Sequence, residues 1–163
     1  MRKSRLAIAI AALVLSFTGQ PALASAPSRQ PVPELTDLAA GDACSFGVHV
    51  EAVRQNETAT TFANGRVLIT GASVPRLTNV TTGKSIVVNA SGPLSITFGS
   101  TSLTAKAEGR TLFSFFPGQL GPNSAPGLIL TTGLAIYVLD LGTGAVTFTH
   151  NGGTTEDLCQ ALS

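Results

Sequence analysis

The chain is poor in the side chains that most chemistry uses. It has no tryptophan, one tyrosine, two histidines and two cysteines, and charged residues make up 12% of the sequence. With so few charged residues, the chain lacks the basic patch that is typical of nucleic-acid-binding proteins, so we expect no nucleic-acid partner. Long helical hydrophobic periods are also missing, which disfavours folds built from alternating strands and helices.

The first 26 residues have the composition of an export signal. Basic residues among the first five precede an uncharged apolar run over 6–17, and small residues provide cleavage positions after Ala24 or Ala26. The apolar run is shorter than the roughly 20 residues that a membrane-spanning helix needs. We therefore predict a signal peptide over 1–26 and a secreted, extracellular protein without stable membrane insertion.

A proline-rich lead-in follows over 27–43. Pro27, Pro31 and Pro33 impose extended, semi-rigid backbone. The pattern over 34–40 also allows a turn or two of helix. We interpret this lead-in as a tether or spacer, and residues 44–163 as a single β-domain of ordinary one-domain length.

Strand patterns fill the predicted domain. Residues from Cys44 to Val53 alternate between apolar and polar, which indicates a strand with one buried and one wet face. Asn64-Gly65 between apolar flanks is a strong hairpin signal, and Gly83 marks a second hairpin within Leu77–Asn89. Similar punctuation recurs to the end, with strand breaks at Gly109 and Gly133. We predict about ten short antiparallel strands in a sandwich or a small barrel.

The two cysteines are far apart in the sequence. Cys44 lies at the start of the first predicted strand and Cys159 near the end, with a short capped helical turn just before it. Two cysteines in an exported chain usually pair. We predict a structural disulfide between them and keep two free thiols as the alternative, although no Cys-x-x-Cys motif supports redox chemistry.

The densest apolar segment is Leu112–Leu120. Phe113, Phe115, Phe116 and Leu120 concentrate hydrophobic surface in a chain with few aromatic residues. Such a segment is most often a central strand that is buried on both faces. The alternative is an apolar cavity or docking patch, with the Pro- and Gly-rich loop over 117–127 as its rim.

Recognised catalytic or cofactor motifs are absent from the sequence. Gly83-Lys84-Ser85 lacks the first glycine of a phosphate-binding loop and lies in a predicted hairpin. His49 and His150 are too few for a usual zinc site once the cysteines are paired. No Gly-x-Ser-x-Gly elbow occurs. We therefore predict no cofactor, no metal and no identifiable catalytic residue.

The residues resemble a group of small exported actinomycete proteins. The resemblance includes Cys44 with its alternating strand, the stretch Leu77–Asn89, Ser91-Gly92-Pro93 and the closing Asp157-Leu158-Cys159. To our knowledge this group has no assigned activity. The resemblance implies secretion and a β-rich domain and transfers no catalytic residue.

Three functions remain open from the sequence. The first is a non-enzymatic β-domain that contacts an unknown protein or cell-envelope component through strand edges or loops. The second is a carrier of a small apolar ligand that uses the phenylalanine segment. The third, less favoured, is a hydrolase with an unrecognised site.

Overall fold

The computed structural model describes residues 26–163, so the predicted leader lies outside the described residues except for Ala26. Eleven strands and one short helix form this part of the chain. They are β1 (Ser28–Pro31), β2 (Val48–Gln55), β3 (Thr58–Thr61), β4 (Val67–Thr70), β5 (Ser73–Asn79), β6 (Ser85–Val87), β7 (Leu94–Phe98), β8 (Ser102–Phe115), β9 (Gly127–Asp140), β10 (Val146–Asn151), β11 (Thr154–Asp157) and α1 (Leu158–Leu162).

All the strands pair antiparallel in two sheets. The large sheet has the order β1-β3-β4-β7-β8-β9-β10, with β11 also paired to β9, and the small sheet has the order β2-β5-β6. This confirms the predicted all-β, antiparallel class. The sheets do not close into a barrel, and the fold is sandwich-like. No helix of the described chain is long and apolar enough to cross a bilayer.

The lead-in differs from a simple tether. Ser28–Pro31 pairs with Thr58–Thr61 as β1 of the large sheet. The predicted helical turn over 34–40 does not form. Instead, Leu38 makes an isolated antiparallel bridge with Val48 at the start of β2. The first strand of the small sheet therefore begins later than the alternation from Cys44 suggested, and its buried Val48 and exposed His49 keep the predicted parity.

β8 and β9 form the longest hairpin, and each runs for 14 residues without interruption. The sequence predicted breaks at Gly109 and Gly133, and this was wrong. The two glycines are register partners inside the paired strands, and both have positive φ, 78° and 114°. Glycine adopts this backbone without a Cβ penalty, so the ladder bends there and does not stop.

The bend brings the two ends of the hairpin together. Tyr137 is the register partner of Ala105, and Phe113 lies eight residues further along β8. In a straight strand, eight residues span about 26 Å. The ring centroids of Phe113 and Tyr137 are only 5.3 Å apart. The far half of the hairpin, 111–115 with 127–131, is therefore folded back over the near half.

Two hydrophobic cores lie on opposite faces of this far half. On one face, Leu128 and Leu130 pack with the small sheet and with Leu158 and Leu162 of α1. On the other face, Phe113 and Phe115 pack with residues of the near half and of β10. In β8 itself, Thr111, Phe113 and Phe115 are buried, whereas Leu112 is half-buried and Ser114 is exposed, so the predicted burial on both faces is incomplete.

The two cysteines close the fold. Cys44 and Cys159 form a disulfide with their Cα atoms 5.5 Å apart, as the sequence predicted, and both belong to the core beside the small sheet. Asp157 caps α1 by accepting a hydrogen bond from the Gln160 backbone N–H. The disulfide thus joins the segment just before β2 of the small sheet to the C-terminal helix.

Candidate functional site

The phenylalanine segment divides between the interior and the surface. Phe113 and Phe115 are buried, Phe116 is half-buried and Leu120 is 43% exposed. Phe113 contacts Phe115, Tyr137 and Phe148 at centroid distances of 5.3 to 6.4 Å. Burial also raises the pKa of Tyr137 above its usual 10.0. Side chains therefore fill the space that an apolar ligand beside Phe113 would need.

Two pockets of the described chain lie elsewhere. One holds about 10 Å³ and lies beside Leu35 and Ala52, next to the edge of β2. The other is an open groove of about 550 Å³ beside Leu38, Phe46 and Val80. Neither includes a residue of the phenylalanine segment. These two pockets therefore do not coincide with the place that the carrier hypothesis gives the ligand.

A carboxylate and a histidine meet at the edge of the small sheet. Asp37 Oδ1 accepts a hydrogen bond from the Val50 backbone N–H at 2.8 Å and lies 2.9 Å from His49 Nδ1. The Val50 N–H, followed by His49, holds the pKa of Asp37 below its usual 3.8. The His49 and Asp37 side chains are 55% and 63% exposed, so water screens this pair. The cluster closes the outer edge of β2.

We expect the Val50 amide to exchange its hydrogen with solvent faster near pH 7 in the Asp37→Ala variant than in the wild type. Because the folded pKa of Asp37 is lowered, its stabilising contact is present above pH 3.8 and is lost as the pH falls through the lowered value. Amide exchange by NMR measures this, with the Val48 amide, which donates to Leu38, as internal reference. Glu34→Ala is the matched control, and equal exchange rates in both variants would contradict the assignment.

The two histidines lie in different sheets. His49 has its carboxylate partner, and Asp37 lines the open groove beside Phe46. No serine hydroxyl is hydrogen-bonded to the imidazole within residues 26–163. A nucleophile would have to lie within hydrogen-bond reach of the base. His150 lies in β10 of the other sheet, where its ring packs over Gly152. No cluster of three metal-ligating side chains occurs in the described residues.

Asn79 is the buried polar residue whose role the sequence did not predict. It is 2% exposed, its Nδ2 donates to the Leu162 carbonyl at 3.1 Å, and its Oδ1 accepts from the Thr81 and Thr82 backbone. The side chain ties the β5–β6 turn to the end of α1. The sequence placed this residue only within the predicted hairpin Leu77–Asn89, and its contact with Leu162 appears only in the fold.

Asn79→Ala is expected to lower the free energy of unfolding by about 1–3 kcal/mol, because it leaves the buried Leu162 carbonyl without its partner and removes the bonds to the Thr81 and Thr82 amides. Chemical denaturation measures the change. Asn123→Ala, at an exposed loop position, is the control and is expected to change stability by less than about 0.5 kcal/mol. Equal midpoints for the two variants would show that the buried amide does not stabilise the fold.

The strand edges offer little to an incoming strand. At the edge of β2, the Val48 amide donates to the Leu38 carbonyl and the Val50 amide donates to the Asp37 carboxylate. At the other edge of the small sheet, β6 has only three residues. In the large sheet, Pro31 of β1 has no backbone N–H to donate, and a bulge follows Phe148 in β10. β11 carries Glu156 and Asp157. Such features block edge-to-edge pairing, so loops are the better candidates for a contact surface.

One end of the molecule exposes three large apolar side chains at or beside the turns that follow β7, β8 and β9. Phe98 is 43% exposed, Leu120 43% and Leu141 51%. The turns lie together because Leu141 N–H donates to the Thr101 carbonyl and Val146 N–H donates to the Gln119 carbonyl at 2.7 Å. We call this surface, formed by Phe98, Leu120 and Leu141, the apolar end.

The two chain segments that carry the apolar end contain little charge. Asp140 is the only Asp, Glu, Lys or Arg between Thr111 and Thr155, and none lies between Ser85 and Ala105. Hydrogen bonds from Thr143 and Gly142 hold the pKa of Asp140 below its usual 3.8. Elsewhere, exposed apolar side chains have charged neighbours, as Val87 has in Arg76, its register partner. The β3–β4 turn at the same end of the large sheet adds Arg66, because Val67 is paired with Ile96, two residues before Phe98.

Hydrogen bonds keep the loop of the apolar end in place. Gln119 Oε1 accepts from the Phe116 backbone and its Nε2 donates to the Gly144 carbonyl. Leu120 N–H donates to Ser124 Oγ, and Gly118 N–H donates to the Ser124 carbonyl. These polar groups are therefore satisfied inside the protein.

The predicted site residues thus reach different places. The fold puts Phe113 and Phe115 in the core, and it leaves Leu120 on the surface beside two residues that the sequence did not single out, Phe98 and Leu141. Their signal in the sequence was the long uncharged run around them. Comparison with protein-family models, with curated proteins and with solved structures finds no match to this chain.

Proposed function

We propose that this protein is a secreted, non-enzymatic β-domain that acts through surface contacts at or outside the cell envelope. Its partner is a protein or another envelope component. The observation that carries the proposal is the apolar end, where Phe98, Leu120 and Leu141 are exposed together. Clustered exposed apolar side chains are typical of interaction sites, whereas single ones are ordinary.

The arrangement of polar side chains supports this choice over catalysis. Asn79 and Gln119 hold turns and loops in place, and Asp37 closes a strand edge. The imidazole of His49 is bound to that same carboxylate and lies open to solvent. A catalytic site would instead bring a nucleophile, a base and a binding cleft together.

Two further observations support the proposal over the carrier alternative. The rings of Phe113, Phe115, Tyr137 and Phe148 pack on one another, and the open groove lies near Phe46 and not near these rings. The disulfide between Cys44 and Cys159 is typical of proteins in oxidising compartments, which agrees with export.

Native mass spectrometry of protein secreted by its own host tests the proposal. We expect the mature, oxidised chain, free of small ligands, together with a species bound to an envelope component. Phe98→Ser is expected to remove that species, whereas Val87→Ser, at a position on β6 that is 53% exposed against 43% for Phe98, is expected to keep it. A stoichiometric apolar ligand would favour the carrier, and retention of the uncleaved chain in the cell would contradict secretion.

A further inference from the structure

We propose that residues 154–163, which form β11 and α1, are a redox-controlled latch, and we call them the closing segment. When a dithiol reduces the bond between Cys44 and Cys159, the closing segment leaves the body of the protein as a unit. The rest of the described chain stays folded. This inference goes beyond the proposed function and does not depend on the apolar end.

The closing segment buries little of its own surface. All the residues of β11 are exposed, and β11 pairs only with β9. Leu158 and Leu162 of α1 are the buried residues of the segment. They fill an apolar slot beside Leu77, Leu128 and Leu130, which we call the α1 slot. Segments with few buried apolar contacts open locally at a lower free energy than the whole protein unfolds.

The disulfide keeps the closing segment near its slot. Asn79 Nδ2 donates to the Leu162 carbonyl, and Lys84 Nζ donates to the Ser163 backbone oxygen at 2.7 Å. The bond adds a covalent tie from α1 to the residues just before β2. A cross-link restricts how far its two ends can separate. Once it is reduced, the docked contacts alone must offset the conformational entropy of the whole segment.

The body of the protein keeps a core of its own without the closing segment. Within the described chain, the core around Phe113 and Phe115 is built from residues outside 154–163. The chain after β6 stays tied to β8, because Gly92 N–H donates to the Arg110 carbonyl and Arg110 Nε donates to the Asn89 carbonyl. Release of the segment therefore uncovers the α1 slot and leaves the bent hairpin packed.

Two glycines between β10 and β11 provide the hinge. Gly152 N–H donates to the Leu134 carbonyl, so the chain is anchored up to this residue. Gly153 follows directly before β11, and glycine can change its backbone angles without a Cβ penalty. Opening therefore begins at Gly153.

Reduction starts at the more accessible sulfur. Cys44 is 2% exposed, whereas Cys159 is half-buried. One thiolate of the dithiol therefore attacks Cys159 Sγ, and Cys44 leaves as a thiolate that takes a proton from solvent. The second thiolate of the reductant then attacks the reductant sulfur of the mixed disulfide and releases Cys159. The products are two cysteine thiols and one cyclic disulfide of the reductant.

Hydrogen exchange measured by mass spectrometry tests the latch. The oxidised protein, produced from the full-length sequence, is compared with the same protein reduced by dithiothreitol. We expect peptides from 154–163 to exchange roughly tenfold faster or more after reduction, and peptides from 134–140, in the near half of β9, to keep their protection. The control Cys44→Ala/Cys159→Ala is expected to match the reduced protein with and without dithiothreitol.

Thiol labelling gives a second readout at the α1 slot. In the variant Cys159→Ser, Cys44 is the only thiol of the chain, and it is buried while the closing segment is docked. We expect a maleimide to label Cys44 in native buffer, while circular dichroism shows the same folded spectrum as the wild type.

Two results would overturn the latch. If 154–163 and 134–140 lose protection together on reduction, the bond stabilises the whole fold and the segment does not open as a unit. If 154–163 stays protected after reduction, or Cys44 is labelled only at denaturant concentrations that unfold the protein, Leu158 and Leu162 hold the segment without the bond. Neither result bears on whether the apolar end contacts a partner.

Discussion

Gly92→Ala is expected to destabilise the protein by about 3 kcal/mol or more, because the added methyl group meets backbone that has no room to move. An ideal Cβ at this position lies 2.5 Å from the Arg110 carbonyl oxygen and 2.8 Å from the Arg110 nitrogen. The Glu108 carbonyl is also in its way. Gly92 packs directly on β8 beside the bend at Gly109, so the substitution forces the bent hairpin away from its neighbour.

Thermal unfolding measures this effect. A loss of this size corresponds to a melting temperature lower by roughly 10 °C in a domain of this length. Gly127→Ala is the matched control, because no atom lies within 4 Å of its ideal Cβ, and we expect a change below about 0.5 kcal/mol. If Gly92→Ala melts with the wild type, the close packing at the bend is not needed for stability.

The second large effect is expected from loss of the disulfide. Cys44→Ser is expected to lower the free energy of unfolding by roughly 3–5 kcal/mol, and the melting temperature by at least several degrees. The physical reason is that the bond joins residues 115 positions apart and so restricts the unfolded chain over a long loop. Its loss also removes a covalent link between the small sheet and α1, which share one core.

The double variant Cys44→Ala/Cys159→Ala separates the bond from the side effects of a single free thiol. Reduction of the wild type is expected to lower its melting temperature to about that of the double variant, and reduction of the double variant is expected to change nothing. If the wild type melts at the same temperature in reducing and oxidising buffer, the bond does not contribute to stability.

Local sequence signals predicted much of the fold. Apolar and polar residues alternate along strands with one wet face, so most strands were visible, including β7 at Leu94–Phe98. Asn64-Gly65 and Gly83 marked turns that the structure contains, with positive φ at both glycines. The disulfide was also predictable, because two cysteines leave only one possible pair. Each of these signals depends on a residue and its near neighbours.

Signals that depend on distant contacts were missed or misread. Gly109 and Gly133 suggested strand ends, because a glycine in a strand pattern does not reveal whether the ladder continues through it. Asn79 looked like any polar turn residue, although its partner Leu162 lies 83 positions away. The helical turn expected over 34–40 was replaced by a bridge from Leu38 to Val48.

The candidate site shows the same division. From the sequence, one possible apolar patch contained Phe113, Phe115, Phe116 and Leu120, since they are neighbours in the chain. The folded hairpin separates them, with the first two in the core and Leu120 at the apolar end. Leu120 lies at the same end of the molecule as Phe98 and Leu141 only because the bend in the hairpin places the loop after β8 beside the turn after β9.

The amino-acid sequence by itself determined that this protein is built from antiparallel strands and that Cys44 pairs with Cys159. Strand periodicity and cysteine number are local or countable properties, and they leave few alternatives. Only the tertiary structure decided which apolar residues are covered and which face solvent. That outcome depends on how far β8 and β9 bend at Gly109 and Gly133, because the bend selects the surfaces that meet.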